Sequence, residues 1–186
     1  MNGSPAILTI GETDDAGQGR GCRIAVGTCG YSYTEWADSG FYPPGTRTAA
    51  MLPLYGRSFS VVELNYTWYQ MARAEAIARM VEKAPPHLRF AAKLTRTITH
   101  ERDQDWRDQL QQFRRGIAPL GSRLLAVLIQ LPPDFERSPD NRRHLAVLLD
   151  GLQGLPVIDL PQDDEKFLAT IPTGAVKTAQ DLPKNL

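Results

Sequence analysis

Four apolar, β-rich runs recur along this chain at intervals of roughly thirty residues: Ile24 to Thr28, Ser60 to Asn65, Arg89 to Leu94 and Leu124 to Leu131. That interval is the length of one strand-helix unit, and the intervening segments carry the helical half. Ile77, Met80, Val81 and Ala84 fall at i, i+3, i+4 and i+7. Trp106, Leu110, Phe113 and Ile117 step by four, three and four, so each set makes one apolar stripe. Ser138 before Pro139 supplies an N-cap and a first-turn residue, and Leu145, Leu148, Leu149 and Leu152 repeat the stripe before Gly154. The helix after the first strand is the least regular. Met51, Leu54 and Tyr55 make its buried face, while Pro53, lacking an amide hydrogen, must lie in its first turn or kink it.

Runs such as Leu124 to Ile129 are continuously apolar, as expected where helices cover one face of a sheet and packed side chains fill the other. Alternation of such strands with helices favours a parallel α/β sheet. A complete barrel of eight units needs about 250 residues; this chain has 186. The expected fold is therefore α/β, a partial TIM-type (β/α) barrel of four to five parallel strands with helices outside, over residues 23–154. In a divergent C-terminal segment, 155–186, Pro156 to Leu160 is a candidate fifth strand. After it, Pro161, the acidic run Asp163-Asp164-Glu165, Pro172, Gly174 and Pro183 leave little room for regular units. Residues 1–22, rich in Gly, Asp and small polar groups, are expected to form a flexible tail.

Charge restricts the partners. Lys and Arg number 21 and Asp and Glu number 21, so no global field draws the chain to nucleic acid or anionic membrane. Locally, residues 73–123 hold eleven Lys/Arg against six Asp/Glu, and residues 134–165 hold three against eight. That basic stretch makes nucleic acid the alternative partner to a small molecule. The apolar run Ala6 to Ile10 is too short for a signal-peptide core or a membrane span, so a cytoplasmic protein without membrane association is expected. Cys22 and Cys29 lie too far apart on an extended run for a disulfide and lack a nearby His, so neither a metal nor a cofactor is expected.

Ligands of parallel α/β folds bind outside the carboxyl ends of the strands. The residues there are Gly27 to Tyr33 and Trp36; then Glu63, Asn65, Tyr66 and Tyr69; then Lys93, Thr95, Arg96, Thr99 and His100; then Gln130. Glu63, Lys93 and Gln130 stand inside otherwise apolar strands, where an unpartnered charge or amide costs several kcal/mol. Two readings stay open for the first two: a buried pair that neutralises itself, or a proton-transfer or anion-binding site. His100, on a loop, is a candidate general acid or base. Tyr31, Tyr33, Trp36, Tyr66, Trp68 and Tyr69 either stack on a sugar or base or pack the rim. Gly27-Thr28-Cys29-Gly30 has neither the Walker ending nor the dinucleotide glycine spacing, and no serine-hydrolase elbow or zincin helix is present.

These strings resemble the YecE-like family, domain of unknown function 72 (DUF72). The resemblance rests on Gly27-Thr28-Cys29-Gly30-Tyr31-Ser32-Tyr33 with Trp36 and Phe41-Tyr42-Pro43-Pro44-Gly45, on Val62-Glu63-Leu64-Asn65-Tyr66-Thr67-Trp68-Tyr69, on Phe90-Ala91-Ala92-Lys93 with Thr99-His100, and on Gln130-Leu131-Pro132-Pro133. It implies a TIM-type barrel with a polar, aromatic-lined pocket and no established reaction. The resemblance places the family's pocket motifs on Trp36, Tyr42, Glu63, Asn65, Tyr69, Lys93, Thr99, His100 and Gln130; of these, the residue chemistry makes Glu63, Lys93 and His100 the catalytic candidates and the other six the substrate-binding ones. Cys29 stands where the family often has Ser. Downstream, the Glu-Phe-Arg-His strand expected of the family is missing, so the chain reads as truncated after the fourth unit. Three functions follow as expectations: an enzyme or enzyme remnant acting on a small anionic, sugar-like or nucleotide-like molecule; a nucleic-acid-binding or nuclease-like protein; or a non-catalytic fragment that self-associates through open sheet edges.

Overall fold

The computed structural model describes residues 5–10 and 23–160. Its elements are β1 (Pro5–Ile10), β2 (Arg23–Cys29), α1 (Glu35–Asp38), α2 (Thr48–Tyr55), β3 (Val61–Leu64), α3 (Tyr66–Tyr69), α4 (Ala74–Lys83), β4 (Arg89–Lys93), a π-helical turn (Thr97–Glu101), α5 (Trp106–Ile117), a 3-10 segment (Ala118–Arg123), β5 (Leu124–Gln130), α6 (Pro139–Gly151) and β6 (Val157–Leu160). The strands form one sheet in sequence order. β2 to β6 pair in parallel and β1 pairs antiparallel with β2. All four apolar runs and the candidate fifth strand are thus strands of an α/β sheet of the expected kind.

Register assigns the two faces. Side chains alternate along a strand, and Glu63 pairs with Ala91 while Lys93 pairs with Leu128. Glu63, Ala91, Lys93, Ala126, Leu128 and Gln130 therefore share one face, on which Ala91, Ala126 and Leu128 make a small buried cluster. Val62, Leu64, Phe90, Ala92, Val127 and Ile129 take the other and join the helical stripes in the main core. Trp106, Leu110, Phe113 and Ile117 are all buried there, with Ile77 from α4 and Leu148 from α6. The Ser138 hydroxyl caps α6 by accepting from the Asn141 amide at 3.2 Å, as its position before Pro139 predicts.

Two expectations need correction. Pro5–Ile10, placed in a flexible tail, is a strand along β2; the Gly- and Asp-rich average of residues 1–22 hides a β-prone Ala-Ile-Leu-Thr-Ile run. Residues 1–4, 11–22 and 161–186 lie outside the described residues. Among the described residues the outermost strands are β1 and β6, because β2 and β5 each have a partner on both sides. In α2, Pro53 sits in the second half and the helix stops two residues later, with Met51, Leu52 and Tyr55 buried while Leu54 is half-buried.

Long-range polar contacts fix the elements to one another. The Tyr55 hydroxyl accepts from the Thr28 amide at 2.9 Å and donates to the Val61 carbonyl at 2.8 Å, tying α2 to β2 and β3. Gly27 is required between those strands, since a Cβ there would meet the Val61 carbonyl oxygen at 2.2 Å. Arg123 donates to the carbonyls of Val81, Pro85 and Leu88 at 2.7 to 3.0 Å and lies 5.1 Å over Phe90, satisfying groups left open after α4. Among the described residues no helix is long and apolar enough to cross a membrane.

Candidate functional site

The site forms where β2, β3 and β4 end. Glu63, only 6% exposed, projects from β3 opposite Cys29 of β2. The Cys29 thiol donates to Glu63 Oε2 at 3.0 Å, and Lys93 Nζ lies 3.8 Å from Glu63 Oε1. Lys93 also donates to Asn65 Oδ1 at 3.3 Å. The ion pair expected between neighbouring strands is therefore present, with the Asn65 amide as its third member.

A short helix supplies the aromatic wall. A four-residue helix such as α3 is not stable on its own, and Thr67 and Thr95 hold it in place. The Thr67 hydroxyl lies 2.7 Å from the Leu64 carbonyl and also meets that of Lys93, while the Thr95 hydroxyl donates to the Thr67 carbonyl at 2.9 Å. This anchoring sets Trp68 beside the ion pair, its ring centroid 5.7 Å from Lys93 Nζ. Tyr69 and His100 meet Trp68 edge-on at 4.8 and 5.4 Å. Two buried polar atoms flank Lys93 without a hydrogen-bond partner among the described residues: Glu63 Oε1, an acceptor, and Trp68 Nε1, a donor. Buried polar groups are rarely left so.

His100 is held by the π-helical turn after β4, where its Nδ1 lies 2.8 Å from the Thr99 hydroxyl. Burial, then the Arg102 guanidinium, pushes its pKa below the ordinary value, against an opposing pull from Asp134. Burial and Arg102 depress His144 likewise. Both imidazoles are thus easier to protonate in the unfolded chain. Stability is fully present above the unfolded value of 6.5 and falls as pH drops through it, levelling off below the depressed folded values. Urea midpoints are expected to be lower at pH 5.5 than at pH 7.5, and His100→Gln with His144→Gln should flatten that slope. A wild-type midpoint that rises on acidification would contradict the assignment.

Of the nine residues singled out from the sequence, Glu63, Lys93, Asn65 and His100 gather around Trp68. Tyr69 stands at the rim, 56% exposed. Gln130 ends β5 half-buried on the face of Lys93. Thr99 is buried and positions His100. Tyr42 lies elsewhere, and Trp36 meets the group through the Tyr33 ring, 4.8 Å away. Tyr42 is fully buried in the helix-side core, where its hydroxyl donates to the Tyr31 carbonyl, and Trp36 packs against it and Phe41. In this position the Tyr42 side chain ties the loop after β2 to the core, away from the Glu63–Lys93 pair. Trp68 and Cys29, which the sequence reading left out of its site, belong to it. So does Tyr33, whose hydroxyl donates to the Cys29 carbonyl.

This arrangement can be set beside known proteins. The family described as a protein of unknown function, DUF72, matches residues 25–158. The chain belongs to the DUF72 family. Over 120 residues it is 28% identical to the UPF0759 protein YunF of Bacillus subtilis, a match covering 60% of this chain and 43% of that one. A DUF72 protein of Thermotoga maritima superposes with a TM-score of 0.60 at 25% identity, covering 75% of this chain and 58% of that one. One from Enterococcus faecalis superposes with a TM-score of 0.62 at 20% identity, covering 77% and 54%. This DUF72 chain thus spans about half the length of the relatives it matches.

Proposed function

We propose that the strand-end site binds a small polyhydroxylated molecule of the sugar or nucleoside class, and that Glu63 and His100 are the acid-base groups acting on it. The observation that carries this reading is the pair of buried atoms beside Lys93 that lack a hydrogen-bond partner among the described residues: a carboxylate oxygen with only the ammonium 3.8 Å away, and an indole N–H with no acceptor. A hydroxyl is both at once, so adjacent hydroxyls of one ligand satisfy the two. The rings of Trp68, Tyr69 and Tyr33 offer the apolar surface that the C–H face of a sugar or a base covers. Lys93 already faces a carboxylate and an amide, which leaves less of its charge for an anion and favours hydroxyls over phosphate. Asn65 and Gln130 orient the ligand. A neutral His100, favoured by its burial, can accept a proton at pH 7.

A thermal-shift series with monosaccharides, polyols, sugar phosphates, nucleosides and short oligonucleotides tests this. At a hundredfold excess over its dissociation constant, a true ligand adds about 2.7 kcal/mol. Sugars or nucleosides should raise Tm by several degrees, and Glu63→Gln and Trp68→Phe should each abolish the rise. A response confined to oligonucleotides, weakening with salt and indifferent to both variants, would replace this reading with nucleic-acid binding.

A further inference from the structure

Cys29 ends β2 in register with Glu63, and the approach of the two strands gives its thiol a partner of unusual kind. Glu63 is a carboxylate 6% exposed, so its oxygens are held in place and little screened. One of them receives the Cys29 S–H at 3.0 Å, and the other has no hydrogen-bond donor, only the Lys93 ammonium at 3.8 Å. The chain around the thiol is pinned as well. The Tyr33 hydroxyl bonds the Cys29 carbonyl, and the Gly30 amide donates to the Glu63 carbonyl at 3.0 Å. Thiol, base and cation thus form a connected row at the strand ends, the arrangement of an activated nucleophile rather than of a packing cysteine.

We propose that Cys29 is a nucleophilic thiol that attacks electrophilic carbon with Glu63 as its general base. As Sγ forms its bond to carbon, the S–H bond breaks and the proton passes to Glu63 Oε2, while the leaving group departs with the electron pair of its own bond. Lys93 holds the carboxylate in position and balances the charge of the developing thiolate. Glu63 afterwards returns the proton to water. None of these steps requires the sugar-like ligand, so the inference stands apart from the function proposed above.

The opposite role for Glu63 makes opposite predictions. A mere anionic neighbour would disfavour the thiolate, and its removal would speed the reaction. Iodoacetamide is the probe: the C–S bond forms, iodide leaves, and mass spectrometry of the Cys29 peptide in a Cys22→Ser background reads the rate. At pH 6.5 Glu63→Gln should react about tenfold more slowly. The chain retaining Glu63 should show a normal solvent deuterium effect, because the proton moves as the bond forms; this second measurement does not depend on how the variant folds. Equal or faster reaction of Glu63→Gln, or absence of the isotope effect, overturns the proposal.

Discussion

Replacing Lys93 with methionine is expected to cost about 3–5 kcal/mol of stability at neutral pH. The reason is Glu63. Its side chain is 7% exposed and that of Lys93 15%, so removing the ammonium leaves a carboxylate that water reaches poorly. The double variant Glu63→Gln with Lys93→Met should recover most of the loss, giving a coupling energy well above the value for an exposed pair. Urea unfolding of the four species measures it. A single-variant loss below about 1 kcal/mol would mean the pair is solvated like a surface salt bridge.

Phe113→Ala is expected to cost about 3–5 kcal/mol, the usual result of emptying a fully buried aromatic site. Phe113 has no exposed surface and lies with Trp106, Leu110 and Ile117 against the helix-covered face of the sheet. Its exposed neighbour is the control: Gln112→Ala should stay within about 0.5 kcal/mol. Equal effects at the two positions would show that α5 does not dock through the stripe.

That stripe was legible in the sequence because a twelve-residue helix repeats its buried face several times. The parallel strands were legible for a related reason: both faces are covered, so apolar residues run without alternation. The Glu63–Lys93 pair followed from the same signal, as charges interrupting apolar runs on adjacent strands. Signals failed where structure is short or its partner distant. The four residues of α3 carry no period, and only the bonds of Thr67 and Thr95 across to β4 reveal why Trp68 enters the site. The partner of Cys29 lies 34 positions away, so no local pattern announces it. Tyr42 carried no directional signal: its place in a string of aromatics says nothing of the fold turning its hydroxyl to the Tyr31 carbonyl.

The central claim is that Glu63 Oε1 and Trp68 Nε1 are the unfilled ends of a ligand site. The indole N–H resonance of Trp68 reports on it directly, because the three tryptophans give three resolvable signals. In a titration of the nitrogen-15-labelled chain with the sugar or nucleoside giving the largest thermal shift, the Trp68 signal should move progressively and saturate. That of Trp106, buried in the helix-side core, should hold still. Saturable binding that leaves the Trp68 signal in place, or that moves Trp106 instead, would contradict the account.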